Sequence, residues 1–346
     1  MHLSIFWDAT ISRLKKLYAW NAFQALAFGQ LLSLCICGTN VASTKLEEQL
    51  KIQCPTAQSF LNYVLLDVIF IPYLAFRKSG ESMAAIVHSR WWYYILIGLV
   101  DVEANYFLVK SYQWTTSTSV QVLDGSTIIV VVGLSMLFFK MRYKIIHFIA
   151  IGVAVVGMLA LIFADYFTDR TSNHQRPPHP FYGDLLVILG ASLYGVSNTA
   201  EEYTTKVYSM AEFLGFVGFF GSIISFTQLM IFERQELNSL QFSWQFIGWQ
   251  SMYSVCLLTL YILMPLTLKL SNATLVNLSL LSSDFYLFVI GIFVFKYKFS
   301  VLYIVAFCAV VLGLIIYSSV PIPQQIIGSN VTIQHRTDEE DENGLI

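Results

Sequence analysis

The chain has 346 residues, 56% of them hydrophobic and only 12% charged. A soluble domain carries about 25% charged residues, so this composition excludes an ordinary water-soluble globule and points to lipid. A net charge of −2 excludes a basic nucleic-acid-binding surface, and five scattered cysteines, of which only Cys54 falls in an exterior loop, exclude a disulfide framework.

A bilayer span needs roughly 20 mostly apolar residues. Residues 1–21 are amphipathic, with Arg13, Lys15 and Lys16 ahead of the first apolar run. They read as a cytosolic segment before a first helix that serves as internal signal. Ten spans are predicted in turn: Ala22–Ser43, Ala57–Phe76, Trp91–Val109, Thr118–Phe139, Ile145–Asp165, Asp184–Thr204, Ala211–Phe232, Phe246–Leu268, Thr274–Phe295 and Val301–Val320. Residues 166–183, with Arg176-Pro-Pro-His-Pro180, read as a linker between halves 22–165 and 184–320. Residues 321–346 form an acidic tail (Asp338-Glu-Glu-Asp-Glu342). With both termini cytosolic, 12 Lys/Arg fall on the cytosolic side and 8 on the other. The sequons at Asn272, Asn277 and Asn330 then lie in a helix or on the cytosolic side, where no glycan is expected.

An internal repeat runs through the chain. Thr118, Phe139, Lys140 and Gly157 match Thr274, Phe295, Lys296 and Gly313, all offset by 156 residues. Leu32–Gly38 lays on Leu189–Gly195 at nearly the same offset. Each half holds five helices, so the halves face opposite ways. The expected fold is an all-α polytopic membrane protein, ten transmembrane helices as two inverted five-helix repeats, a signature of alternating-access transport.

Polar groups inside a span cost several kcal/mol and usually face a cavity or a partner. Asp101 and Asn105 share a face of the third span, with Glu103 and Tyr106 beside them. Gln121 and Asp124 share a face of the fourth. Asn277 and Asp284 share one in the ninth, next to Ser283. These nine residues form the candidate substrate-binding or coupling set. Asn198, Glu201, Glu202 and Lys206 close the sixth span as a gate or a solvated helix end. Asp67 reads as a structural acceptor between helices ahead of a functional group, and Tyr106, Tyr112 and Tyr194 as packing ahead of stacking surfaces. No Lys or Arg lies mid-span. Buried carboxylates suit a cationic or neutral hydrogen-bonding solute, or proton coupling, better than a polyanion.

Other classes lack their chemistry. No pair of the six His flanks an acid at metal-binding spacing, so no metal or cofactor is expected. There is no phosphate-binding Gly-x4-Gly-Lys-Ser/Thr loop for ATP drive. Gly183-Asp184 lacks the preceding Gly of an intramembrane aspartyl protease, so no enzyme is expected. A non-transporting sensor or scaffold is the remaining alternative. The partners are a small organic solute and the lipid bilayer, and a homodimer stays open.

Gly98-Leu-Val-Asp101-Val-Glu103-Ala-Asn105-Tyr106, Thr118-Ser-Val-Gln121-Val-Leu-Asp124, Ser197-Asn198…Glu201-Glu202-Tyr203 and Asn277-Leu-Ser-Leu-Leu-Ser-Ser-Asp284 resemble solute carrier family 35, subfamily F, of the drug/metabolite transporter superfamily. The resemblance runs from Leu26 to Ser319. It implies the ten-helix inverted-repeat fold, alternating access, plasma-membrane or endomembrane (Golgi or vesicle) residence, and solutes of the nucleoside or nucleobase kind, such as queuine or queuosine. Two departures stand out. Gly125 and Ile129 replace the Cys and Pro that often follow the fourth-span acid, which removes any proline kink. Nucleotide-sugar carriers of the wider family carry Ala-Leu-Asn-Lys where Ser282-Ser283-Asp284 stands here. Asp for Lys argues against the alternative of a nucleotide-sugar antiporter in the secretory pathway.

Overall fold

A computed structural model describes residues 2–50, 54–77, 81–115, 120, 123–169, 180–239, 243–294 and 301–320. The described residues form helices α1 (His2–Leu50), α2 (Pro55–Phe76), α3 (Met83–Ser111), α4 (Thr127–Phe138), α5 (Ile145–Asp169) and α6 (Pro180–Val207), then α7 (Met210–Phe232), α8 (Arg234–Ser239), α9 (Trp244–Leu270), α10 (Ala273–Leu280), α11 (Ser283–Val294) and α12 (Val301–Ser318). Among the described residues, the apolar stretches read from the sequence fall largely on helix. Five helical segments, Phe23–Leu46, α2, α3, α7 and α9, are long and apolar enough to cross a bilayer by length and composition. Most of the linker, 170–179, and the tail, 321–346, lie outside the described residues.

Local chemistry starts the helices where the chain must turn. The side chains of Ser82, Ser209, Ser243 and Asn272 each accept a bond from the backbone N–H three residues on. These caps satisfy first-turn donors that have no partner within the helix. The first turn of α2 has an external cap instead. Its Thr56 and Ala57 amides donate to the Glu233 carboxylate at the end of α7, at 2.8 and 3.1 Å. Burial raises the Glu233 carboxyl above its usual range, against the pull of those donors.

Two apolar stretches expected to be continuous are broken. The fourth turns at Gly125-Ser126 before α4, and the ninth turns at Leu281-Ser282 between α10 and α11. These positions are 156 residues apart, the offset of the sequence repeat. The Ser126 and Ser282 amides make the same tightened bond, to Leu123 O and Ser279 O, both at 3.0 Å. No proline forces either break. Gly125 costs a helix about 1 kcal/mol relative to Ala, and serine side chains compete for backbone partners. Irregular backbone inside a bilayer must find its partners in protein. Ser33 of α1 supplies one by donating to Ser279 O at 2.8 Å. Gly29, one turn earlier, permits that approach, because a Cβ there would lie 2.7 Å from the Ser279 side chain.

The helices pair in a definite pattern: α2 with α7, α5 with α12, α1 with α9, α3 with α6 and α7, α4 with α6, and α1 with α10 and α11. Hydrophobic burial drives little association between helices that already sit in lipid, so close packing of small residues does more of the work. Gly215, Gly218 and Gly221 form a period-three stripe on α7 against Leu74, Leu66 and Tyr63 of α2. Large apolar side chains face outward, as at Phe76, Trp92, Phe138, Ile145, Ile231 and Trp244. Such a belt would aggregate in water and is suited to hydrocarbon.

A Cβ on Gly218 would lie 2.8 Å from the Asp67 backbone nitrogen, which cannot step aside. Gly218→Leu is therefore expected to lower the melting temperature of the detergent-solubilised protein, at a cost of about 1–3 kcal/mol or more. Gly248 has nothing within 4 Å of an added Cβ. Gly248→Ala should leave the melt unchanged.

Candidate functional site

A cavity of about 130 Å³ lies among α1, α3, α6, α9 and the two helix breaks. Its lining is mostly apolar, with three carboxyls: Asp101 of α3, Asp124 beside the first break and Glu201 of α6. Tyr194, Tyr253 and Tyr261 supply phenol rings. Asn40, Asn105, Asn198 and Asn277 supply amides. No Lys, Arg or His is among the described residues of the lining.

Asp101 is the best-anchored of the acids. Tyr63 of α2 and Tyr261 of α9 donate to its Oδ2 at 2.8 and 2.5 Å, and Ser197 of α6 donates to its Oδ1 at 2.8 Å. Asn105, one turn along α3, donates to both phenol oxygens at 2.9 and 3.0 Å. Three hydroxyls occupy the oxygens of this carboxyl. The two phenol rings meet edge to face with centroids 6.1 Å apart. One carboxylate thus ties α2, α3, α6 and α9 together.

Asn198 and Asn277 join α6 to α10 through a 3.0 Å amide bond, and Asn277 also donates to Ala273 O at 2.8 Å. Tyr112 of α3 donates to Asn40 of α1 at 3.0 Å. Asp124 has the Thr127 side chain as its hydrogen-bond partner. Ser283 opens α11 and lines the cavity just beyond the second break.

Of the sequence-derived set, Asp101, Asn105, Asp124, Asn277 and Ser283 line this cavity together. Glu103 does not. It lies about 200° around the helix from Asp101, half-buried, and pairs with Gln228 of α7. Tyr106 is also off the lining and packs edge-on against Phe107. Gln121 and the Asp284 side chain fall outside the described residues. The gate group divides. Asn198 and Glu201 face the cavity, one turn apart with Tyr194 on the same stripe of α6. Glu202 and Lys206 are off the lining. Lys206 Nζ lies 2.8 Å from Glu202 and donates to Ser271 O at 2.6 Å, while Glu202 accepts from the Ala273 amide at 2.9 Å. This cluster pins the end of α6 to the start of α10.

Sequence reasoning did not single out Tyr63, Tyr261, Tyr253, Ser197 or Asn40 as site residues. One signal was available: Tyr261 follows Asn105 by the repeat offset of 156 residues, and the two side chains touch.

A bundle of helices apolar on the outside, around a cavity that carries three carboxyls, fits a multi-pass membrane protein of the solute-carrier class. The comparisons with known proteins make that class specific. Residues 18–319 match the family model described as SLC35F, Solute carrier family 35, and the chain belongs to that family. It is similar to Solute carrier family 35 member F2 of Mus musculus, 44% identical over 312 residues that span 90% of this chain and 83% of that protein. The Xenopus tropicalis member F2 is 39% identical over 89% of this chain and 80% of its own length. An uncharacterized family 35 member of Schizosaccharomyces pombe is 36% identical over 84% of this chain and 56% of its own length. A solved crystal structure 13% identical in sequence superposes with a TM-score of 0.61 over 87% of this chain and 96% of its own, a likeness of fold. Membership supports a solute-carrier transporter.

The hydroxyls around Asp101 generate a stability test. Tyr261→Phe leaves the buried carboxylate short of a donor and Asn105 short of an acceptor, which should cost about 1–3 kcal/mol in thermal unfolding. Adding Asp101→Asn should cost less than the sum of the single changes, because both act on one network. Simple additivity of the melting shifts would contradict this reading.

Proposed function

We propose that the protein is a secondary transporter that carries a small organic solute by alternating access. The solute is of the nucleoside or nucleobase kind, including queuine- or queuosine-type molecules, or bears an amine. The observation that carries this reading is the sign of the cavity: three carboxyls and, among the described residues, no cation. A polyanion placed there would meet uncompensated like charge, whereas a cation or a neutral hydrogen-bonding ring meets acceptors and phenol faces. A nucleotide-sugar carrier would need the opposite lining.

The ten-span, two-half architecture supports alternating access. Exchanging the first five spans with the last five maps the helix pairing onto itself. The α2–α7 and α5–α12 pairs map to themselves, and α1–α9 maps to α6–α3. The matched breaks at Gly125-Ser126 and Leu281-Ser282 stand on the same offset. Carriers built from inverted repeats place their sites at discontinuous helices of this kind. With both termini cytosolic, the Glu202–Lys206 cluster lies at the cytosolic end of the cavity and acts as its gate. The acids supply groups that can carry a coupled proton, and no other cofactor enters. The plasma membrane or an endomembrane is the proposed site of action.

Cells expressing the protein should show saturable uptake of a member of a panel of nucleosides, nucleobases, organic cations and nucleotide sugars, measured at two external pH values. Neutralising Asp101, Asp124 or Asp284 by Asp→Asn should abolish that uptake. Undiminished transport in all three variants would remove the assignment of the site. A rate independent of external pH would remove proton coupling alone.

A further inference from the structure

The three cavity acids are not alike. Asp101 is fully engaged by Tyr63, Tyr261 and Ser197. Asp124 has Thr127. Glu201 is only 7% exposed, lines the cavity, and among the described residues has no hydrogen-bond donor on its carboxyl. The charge that acts on it is Asp101, which is of like sign. A carboxyl so placed is costly unless something arrives to pair with it. Glu202, its neighbour in sequence, shows the alternative: it is bonded to Lys206 and to the Ala273 amide. Tyr194 and Tyr253 line the same cavity, and among the described residues their phenols have no side-chain hydrogen-bond partner.

We infer that Glu201 is the carboxylate that binds the transported solute, and that the group it receives is a protonated nitrogen. This rests on the transporter reading above and narrows it. An ammonium would gain a charge-assisted bond to Glu201 and the faces of tyrosine rings, with the fixed negative charge of Asp101 behind them. Asp101 is then part of the wall: its acceptor positions are taken by the protein's own hydroxyls. A neutral hydroxyl in the same position would gain one ordinary hydrogen bond and leave the site's charge uncompensated.

The test is carboxyl labelling of the full-length protein in lipid nanodiscs. Dicyclohexylcarbodiimide is a hydrophobic reagent that adds to protonated carboxyls in apolar surroundings, and mass spectrometry maps the adducts. Glu201 should label about tenfold or more faster than Asp101, whose oxygens are occupied by the Tyr63, Tyr261 and Ser197 hydroxyls. Phenethylamine at saturating concentration should protect Glu201, and phenethyl alcohol, its neutral analogue, should not. Tyr261→Phe with Ser197→Ala should raise the labelling of Asp101, while Glu201→Gln should remove the amine-protected adduct. Labelling of Asp101 ahead of Glu201 would overturn the inference, as would equal protection by the two compounds or protection by neither. Labelling needs no transport. A chain that labels and is protected as expected but moves no solute refutes the transporter reading, and one that transports with Glu201 unreactive refutes this inference.

Discussion

One buried carboxylate organises the centre of this molecule. Asp101 lies in α3, but its hydrogen bonds come from α2, α6 and α9. In water such bonds would add little, because every donor would have an equal alternative. Inside a bilayer the alternative is an unsatisfied charge, so the three hydroxyls and the Asn105 amide behind them become a requirement. The helices that carry them are held at fixed distances around a central space. The same network spends the bonding capacity of Asp101 on the protein, which leaves other acids to meet whatever enters the cavity.

The second constraint is backbone. A helix that stops in mid-membrane frees N–H and C=O groups that lipid cannot satisfy. Here the breaks face protein and cavity, and Ser33 adds a donor to the Ser279 carbonyl that the Ser282 amide already bonds. The breaks bring Asp124, Thr127, Asn277 and Ser283 to the cavity from helix ends rather than from helix faces. Thr127 and Ser283 are separated by the repeat offset and stand at equivalent places after their breaks. Under the proposed alternating access, these two matched ends are what a swap of conformations between halves would move.

The helical stretches were legible because hydropathy over about 20 residues is a strong signal for lipid-spanning helix. The breaks within them were not. Gly125-Ser126 and Leu281-Ser282 carry no proline, and the polar residues around them are read as cavity-facing side chains before they are read as a stop in the helix. The pairing of Asp101 with Asn105 followed from helical period, and the same period should have set Glu103 and Tyr106 aside. Tyr63 and Tyr261 were hidden because an aromatic residue in an apolar helix is usually packing or interface. Their role depends on three helices meeting, which no local pattern records. Glu201 was read with Glu202 and Lys206 as a helix end because the three lie close in sequence. Helix α6 extends to Val207, which carries Glu201 inward on the Tyr194 and Asn198 stripe and leaves Glu202 and Lys206 off the lining.

The central claim is that this acid-lined cavity exchanges a cationic or nucleoside-like solute across the membrane. Counterflow tests it most directly. Liposomes containing the purified protein are loaded with an unlabelled solute, and the transient accumulation of its labelled form is followed for nucleosides, nucleobases, organic cations and nucleotide sugars in turn. The expected result is an overshoot for a nucleoside, a nucleobase or a cation and none for a nucleotide sugar. An overshoot confined to nucleotide sugars, or none for any class, would contradict it.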